Sequence, residues 1–305
     1  MIADWQCLKC SHMPSVSRKR AYVALPSLQL RLDFSAIYLV PRPVLLLNQC
    51  LKMLLIFPVF NRIELLPQFL RYYSLLGITR FVCGLYKGEE SPFYGDIMAF
   101  QARYDLEIRT SLACSIDAYN ARGEKRGLNK IREEFAKDSG WYCIADLDEF
   151  HFFRGKSIPH IIQEAESGGY EAVHGVFSDR IALDGSFPEL DGRKTLDDTF
   201  PLVCDLSKCA GRTCDKIVLA KAFVKIEVGH HTARAKTWRN AAEVHHFKWH
   251  KGAYEVLEDF HRRYARQGLR WAKTEYPAVL ELMHRSGIKL DNPNLRIQTA
   301  PRIGA

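Results

Sequence analysis

The ten residues "WYCIADLDEF", Trp141 to Phe150, run an apolar segment straight into three carboxylates, Asp146, Asp148 and Glu149. Like charges this close repel unless water, hydrogen bonds or a cation offsets them. In an extended segment Asp146 and Asp148 point to one side and Leu147 to the other. Two carboxylates aimed together suit a hard divalent cation, Mn²⁺ or Mg²⁺, that keeps positions open for phosphate oxygens. Such a cation neutralises a departing diphosphate and lowers the barrier to breaking its bond. The plain alternative is an exposed acidic turn, and D-x-D by itself does not choose between them. Upstream, Arg126 and Lys130 make suitable counter-charges for phosphate, or else a solvated helix face.

Other groupings point to less. His246 and His250 stand four apart, a zinc-like spacing in a helix, but "HHFKW" reads as a strand, and no zinc site is expected. Cys7 and Cys10 form a C-x-x-C with no second pair, while Cys204, Cys209 and Cys214 recur every five residues, which suits no common zinc site. Nine scattered cysteines fit free thiols in a reducing compartment better than a disulfide framework.

The acids need a scaffold, and the pattern supplies one. "MLLIFPVF" is a short apolar run with the look of a buried parallel strand, followed by a helical pattern in "RIELLPQFLRYYSLLG" that stops at Gly77. "TRFVCGLY", "DLEIRTS" and "WYCIADLD" read as further strands, separated by helices over "YGDIMAFQARY" and "RGEKRGLNKIREEFAKDSG". Strands alternating with helices predict an α/β fold with a mostly parallel central sheet flanked by helices. Ligands of such sheets bind beyond the carboxyl ends of the strands, where Asp146 and Asp148 fall. The second half is less regular: a helix in "SIPHIIQEAES", a strand in "YEAVHGVFS", and a loop rich in Asp, Gly and Pro over 183–201. Next come a strand pair in "KIVLAKAFVKIEVGHH", a strand in "EVHHFKW" and a helix in "GAYEVLEDFHRRYARQG".

Bulk properties bound the rest. The chain has 305 residues, 47% hydrophobic and 26% charged, ordinary for a soluble globular protein. Its formal charge is +8, and residues 1–52 contribute about +5 of it, so the basic balance belongs mainly to the N-terminal arm. A nucleic-acid partner for the folded body is therefore not expected. Residues 1–52 read as an irregular extension, broken by Pro14, Pro26, Pro41 and Pro43, with Met53 a candidate natural start. The folded domain is expected over 53–290, with a nucleotide-binding half at 53–150 and an acceptor half at 151–290, and 291–305 as a loose tail. The most apolar window is interrupted by Pro41, Arg42, Pro43 and Lys52, and neither a spanning helix nor a signal peptide is read. A cytoplasmic location is expected, with peripheral contact at the inner face of a membrane through "SRKR" left open.

Taken in order, "IFPVFNRIELLPQFL", "WYCIADLDEF", "FSDRIALDG", "DKIVLAKAFVKIEVGHH" and "VHHFKWHKG" resemble a bacterial branch of the family 2 glycosyltransferases carrying D-x-D-E-F, over about residues 53–268. The resemblance implies a GT-A fold and metal-assisted transfer of a sugar from a nucleotide-sugar donor to a saccharide, lipid-linked or protein acceptor, with inversion expected. It places Pro58, Phe60 and Asn61 in the loop that meets the nucleotide, and Asp146 and Asp148 on the metal and the donor diphosphate. Arg126, Asn129 and Lys130 fall in the region that faces the donor. A histidine often completes the metal sphere in such enzymes, and His231 or its neighbour His230, in "VGHH", is the best-placed candidate. Inverting transfer needs a base, for which Asp179 in "FSDRI" is the first candidate, with Asp184 and Asp198 as rivals. The chain departs from the family after the second strand, where an acidic D-x-S-x-D stretch is replaced by "VCGLYKGEES", with Glu89 and Glu90 as the nearest substitutes. Two other readings remain in view: a nucleotidyl- or phosphotransferase using the same acids, and a degenerate, non-catalytic binding protein.

Overall fold

A computed structural model describes residues 53–305 except positions 61, 105, 116–119, 207–209, 212–214, 267–269, 286, 288 and 291–294. The expected extension over 1–52 and the loop residue Asn61 lie outside the described residues.

The first strand, β1 (Leu54–Val59), is apolar because both of its faces are covered. Leu55, Phe57 and Val59 enter one core, while Leu54 and Ile56 enter another on the opposite face. β1 pairs in parallel with β2 (Arg80–Tyr86) and β4 (Trp141–Ile144), and β2 pairs in parallel with β3 (Glu107–Cys114). Helices α1 (Leu66–Leu75), α2 (Tyr94–Tyr104) and α4 (Ile158–Ser167) send Phe69, Ile97 and Ile161 into the first core. α3 (Ala121–Phe135) covers the other face with Leu128 and Ile131. The α/β class, a central sheet flanked by helices, is thus the one the chain adopts.

Beyond β4 the sheet continues with antiparallel pairing. β8 (Asp215–Lys221) lies between β4 and β6 (Ala172–Ile181), and β7 (Leu202–Cys204) and β10 (Ile297–Thr299) extend the edge. β9 (Thr237–His246) runs parallel to β6 and antiparallel to β5 (Glu149–Phe152). A short turn of helix, α5 (Leu196–Thr199), and two longer helices, α6 (Ala253–Ala265) and α7 (Arg270–Arg285), complete the described elements. Leu257, Val279 and Met283 of α6 and α7 close a third core around Trp249.

Local chemistry explains where elements start and stop. α1 begins at Leu66, four residues later than the apolar spacing predicts, because Pro67 lacks an N–H and fits only the first turn. It ends where expected, with Gly77 at φ +89° just past the cap. Asn120 caps α3 by accepting from the Gly123 N–H at 2.8 Å. β4 is shorter than expected and ends at Ile144, so Asp146 and Asp148 sit in the connection to β5 rather than on a strand. The strand pair expected over 216–231 is one strand only; β8 gives way to a loop with a single 3₁₀ turn at Val228–His230. The tail expected to be loose is tied down from Ile297 onward by β10. Cys83, Cys114 and Cys143 are free thiols and buried, and Cys204 is buried. Among the described residues no helix is long and apolar enough to cross a membrane.

Candidate active site

The parallel strands β1 and β4 end at one side of a cleft of about 450 Å³. Pro58, Phe60, Glu124, Asp146, Asp148, Glu149 and Lys216 line its strand side, and Phe260 and Tyr276 of α6 and α7 face them. Phe60 stacks at a tilt on Tyr86, 4.6 Å between ring centres, which carries an aromatic surface from the end of β1 to the end of β2.

Two charge clusters stand at the acidic rim. In the first, Lys216 reaches from β8 to Asp146 Oδ2 at 3.0 Å and Glu149 Oε1 at 2.7 Å. His230 Nε2 lies 2.9 Å from the same ammonium and 3.2 Å from Glu149 Oε2. One ligand atom each from Asp146, Glu149 and His230 lies within 4.8 Å of the others, a group able to hold a metal ion. Two carboxylates and an imidazole are a donor set that divalent cations accept. Burial raises the Asp146 carboxyl above its ordinary range, with Lys216 pulling the other way. Burial would raise Glu149 too, but Lys216 and His230 outweigh it and hold that carboxyl well below the usual range. The same carboxylates hold the Lys216 ammonium in its charged form despite burial.

In the second cluster, Asp148 meets His246 Nε2 at 3.3 Å, and the other ring nitrogen of His246 meets Asp179 Oδ1 at 3.0 Å. Trp249 donates its indole N–H to the same Asp179 oxygen at 3.1 Å. Burial alone would discharge His246, but Asp148 and Asp179 prevail and raise it to about 9. Burial would likewise raise Asp148, and the charge on His246 instead lowers it to about 2. Lys216 and His246 thus each stand between two carboxylates, and Lys248 adds a further positive charge that acts on Asp148.

Which histidine joins the first cluster is decided by backbone conformation. Gly229 at φ +63° and His230 at φ +42° turn the chain so that His230 points inward, almost wholly buried. The expected ligand, His231, instead sets Nδ1 at 2.7 Å from the carbonyl of Asp215 and only lines the cleft. Burial, and after it Lys216, lowers His231 to about 3, so it is neutral. This turn is pinned from α3: Asn129 donates to the Ile226 carbonyl and accepts from its N–H, and Lys125 pairs with Glu227.

The remaining expected residues scatter. Pro58 and Phe60 line the cleft. Asn129 is a buried staple for the 226–230 loop, while Arg126 and Lys130 are exposed and are not among the residues that line it. Asp179 is 1% exposed and stands behind His246, so its carboxyl does not open on the cleft as a base for an incoming hydroxyl must. Its rivals Asp184 and Asp198 are engaged elsewhere, with Ser186 and with Thr195. Glu89 and Glu90 are exposed on a 3₁₀ turn after β2, away from the cleft lining. Sequence reasoning misses Lys216, Glu124 and His246. The "DK" opening of β8 marks Lys216 only once the pairing of β8 with β4 is known. Glu124 accepts from the Tyr86 hydroxyl at 2.7 Å, and burial, then Asp146, raises it to about 7.

No protein-family model and no curated protein matches the chain. Among solved structures, HddC from Yersinia pseudotuberculosis superposes with a TM-score of 0.35 at 8% identity, covering 67% of this chain and 97% of that one. CMP:2-keto-3-deoxy-manno-octonic acid synthetase complexed with CTP gives a TM-score of 0.28 at 12% identity, covering 43% of this chain and 54% of that one. Likeness at this level carries no argument about chemistry, and the site's own residues have to supply it.

Proposed function

We propose that the chain is a glycosyltransferase that moves a sugar from a nucleotide-sugar donor to a hydroxyl acceptor with help from Mn²⁺ or Mg²⁺. One observation carries the reading: an acidic rim of Asp146, Asp148 and Glu149 stands at the carboxyl ends of β1 and β4, in a cleft with an aromatic wall. A rim of that sign repels a bare diphosphate and attracts one that arrives with a divalent cation. Asp146, Glu149 and His230 would hold the cation, which supplies charge neutralisation to the departing diphosphate.

The protein's own groups do the rest. Pro58 and Phe60 meet the nucleotide at the end of β1, and Glu124, which accepts from the Tyr86 hydroxyl, lines the same cleft. Asp148 is the carboxylate held toward the acceptor side, kept ionised and oriented by His246. Asp179 acts through His246 as a positioning group in place of the base role read from sequence. The aromatic faces of Phe60, Phe260 and Tyr276 exclude water and suit the apolar faces of sugar rings. The acceptor, whether saccharide, lipid-linked sugar or protein, is open.

A calorimetric screen of nucleotide-sugars with and without Mn²⁺, run beside Asp146→Asn and Asp148→Ala, tests the reading. The expected result is one donor that binds only with metal and is lost in Asp146→Asn, with release of nucleoside diphosphate on turnover. Pyrophosphate release from a nucleoside triphosphate would replace it by nucleotidyl transfer.

A further inference from the structure

The acid cluster already contains a cation. The Lys216 ammonium lies within 3.0 Å of Asp146 Oδ2, 2.7 Å of Glu149 Oε1 and 2.9 Å of His230 Nε2. A divalent ion held by those three residues would stand roughly 2.0–2.2 Å from each ligand atom, close to where the ammonium now sits. The ligand atoms are spaced for it, with His230 Nε2 at 3.2 Å from Glu149 Oε2 and 3.7 Å from Asp146 Oδ2. Ammonium and metal thus claim the same three side chains, with Asp146 Oδ2 and His230 Nε2 common to both, and holding both at once brings like charges together.

His230 shows the cluster waiting on a choice. Its Nε2 cannot donate to Glu149 and accept from Lys216 at the same time, and its Nδ1 is buried without a partner. Lys216 is itself nearly wholly buried, with its ammonium 5.5 Å from the centre of the Phe177 ring, and both side chains line the cleft. An ammonium displaced from the acids therefore has only the cleft to move into. An anion there would receive it.

We propose that Lys216 is the resting occupant of the metal seat, so that a divalent cation enters together with a diphosphate that takes over the displaced ammonium. The inference rests on the reading of the cleft as a diphosphate site. Its consequence is that free metal alone binds poorly, and that metal and diphosphate each raise the other's affinity, as linkage requires.

Free Mn²⁺, tracked by its electron paramagnetic resonance signal, provides the test, with inorganic pyrophosphate as the probe anion and a protein-free titration subtracted. In the wild type, pyrophosphate should tighten Mn²⁺ binding by about tenfold or more. Lys216→Met should bind Mn²⁺ alone about tenfold more tightly than the wild type and gain little from pyrophosphate. In chelator it should melt lower than the wild type and recover with Mn²⁺, since the buried Glu149 and the half-buried Asp146 then lack their counter-cation. Equal Mn²⁺ affinity in the two proteins, or an unchanged melting point in chelator, overturns the proposal. If Lys216→Met does not fold, the wild type alone decides: independent binding of Mn²⁺ and pyrophosphate overturns it. Coupled binding with no turnover of any nucleotide-sugar would leave this inference standing and remove the transferase reading. Turnover with uncoupled Mn²⁺ binding would do the reverse.

Discussion

At the scale of single residues, the site is governed by charges that cannot be neutralised one at a time. His246 is an imidazolium because it bridges two carboxylates, Asp148 at the cleft and Asp179 behind it. Its value in the folded protein, about 9, lies above the ordinary 6.5, so the stabilisation it brings is complete below pH 6.5 and is lost as pH rises through 9. Asp148 is shifted the other way, from 3.8 to about 2, so its contribution is complete above pH 3.8 and disappears as pH falls through 2. The metal-free protein is therefore expected to be most stable between about pH 4 and 6.5 with respect to this pair. From pH 6.5 to 9 it should lose stability, of order 3 kcal/mol if the whole His246 shift is expressed. Thermal melts across that range in chelator, wild type beside His246→Gln, check this. A variant that loses stability as steeply as the wild type would assign the slope to other groups.

At the scale of elements, the site depends on how closely α3 lies against β3. A Cβ added at Gly127 would come within 1.9 Å of the Ala113 carbonyl oxygen, a backbone atom that no rotamer change can move. Gly127→Ala should then push α3 outward, disturb the Asn129 staple and the His230 turn, and cost about 2–3 kcal/mol by overpacking. Gly95, in α2, has open space at its Cβ position, and Gly95→Ala should be neutral or slightly stabilising. Urea unfolding of both variants tests the contrast, and equal midpoints would show that α3 adapts freely.

This scale also shows what a sequence can disclose. The strands and helices of 53–144 have strong periodicity and a clear stop at Gly77, and they are legible to within a few residues, with Pro67 shifting the start of α1. Asp146 and Asp148 are legible as an acidic pair because type and spacing mark them. Their partners are not, because Lys216 and His246 reach them through the pairing of β8 with β4 and of β9 with β5, which leaves no trace in local spacing. His230 and His231 are adjacent and chemically identical, and only the left-handed backbone at Gly229 and His230 separates their roles. α7 is hidden because Pro277 sits inside it, where a proline ordinarily argues against a helix.

At the scale of the whole molecule, the last described residues brace the strands that carry the second charge cluster. Arg180, next to Asp179 on β6, pairs with Asp197 at 2.7 Å, both side chains nearly wholly buried. Asp197 also accepts from the backbone N–H groups of Ile303 and Gly304, and Arg180 donates to the carbonyls of Phe200 and Pro301. The guanidinium lies over the Phe247 ring at 5.0 Å, one residue past His246. A single ion pair thus joins β6, the end of β9, α5 and the segment after β10. Removing one partner leaves a buried charge uncompensated, which costs about 3–5 kcal/mol, whereas removing both leaves no unpaired charge and loses only the hydrogen bonds each made to its other partners. Asp197→Asn is accordingly expected to lower unfolding stability by that amount, and adding Arg180→Met should recover a large part of it. Denaturant unfolding of the two single variants and the double variant measures the coupling. Limited proteolysis of Asp197→Asn should find the backbone after Thr299 newly cleavable, since two of its hydrogen bonds end on that carboxylate. Strictly additive losses would mean that Arg180 is held by the carbonyls, the Phe247 ring and His245, and that the brace does not act through its charge pair.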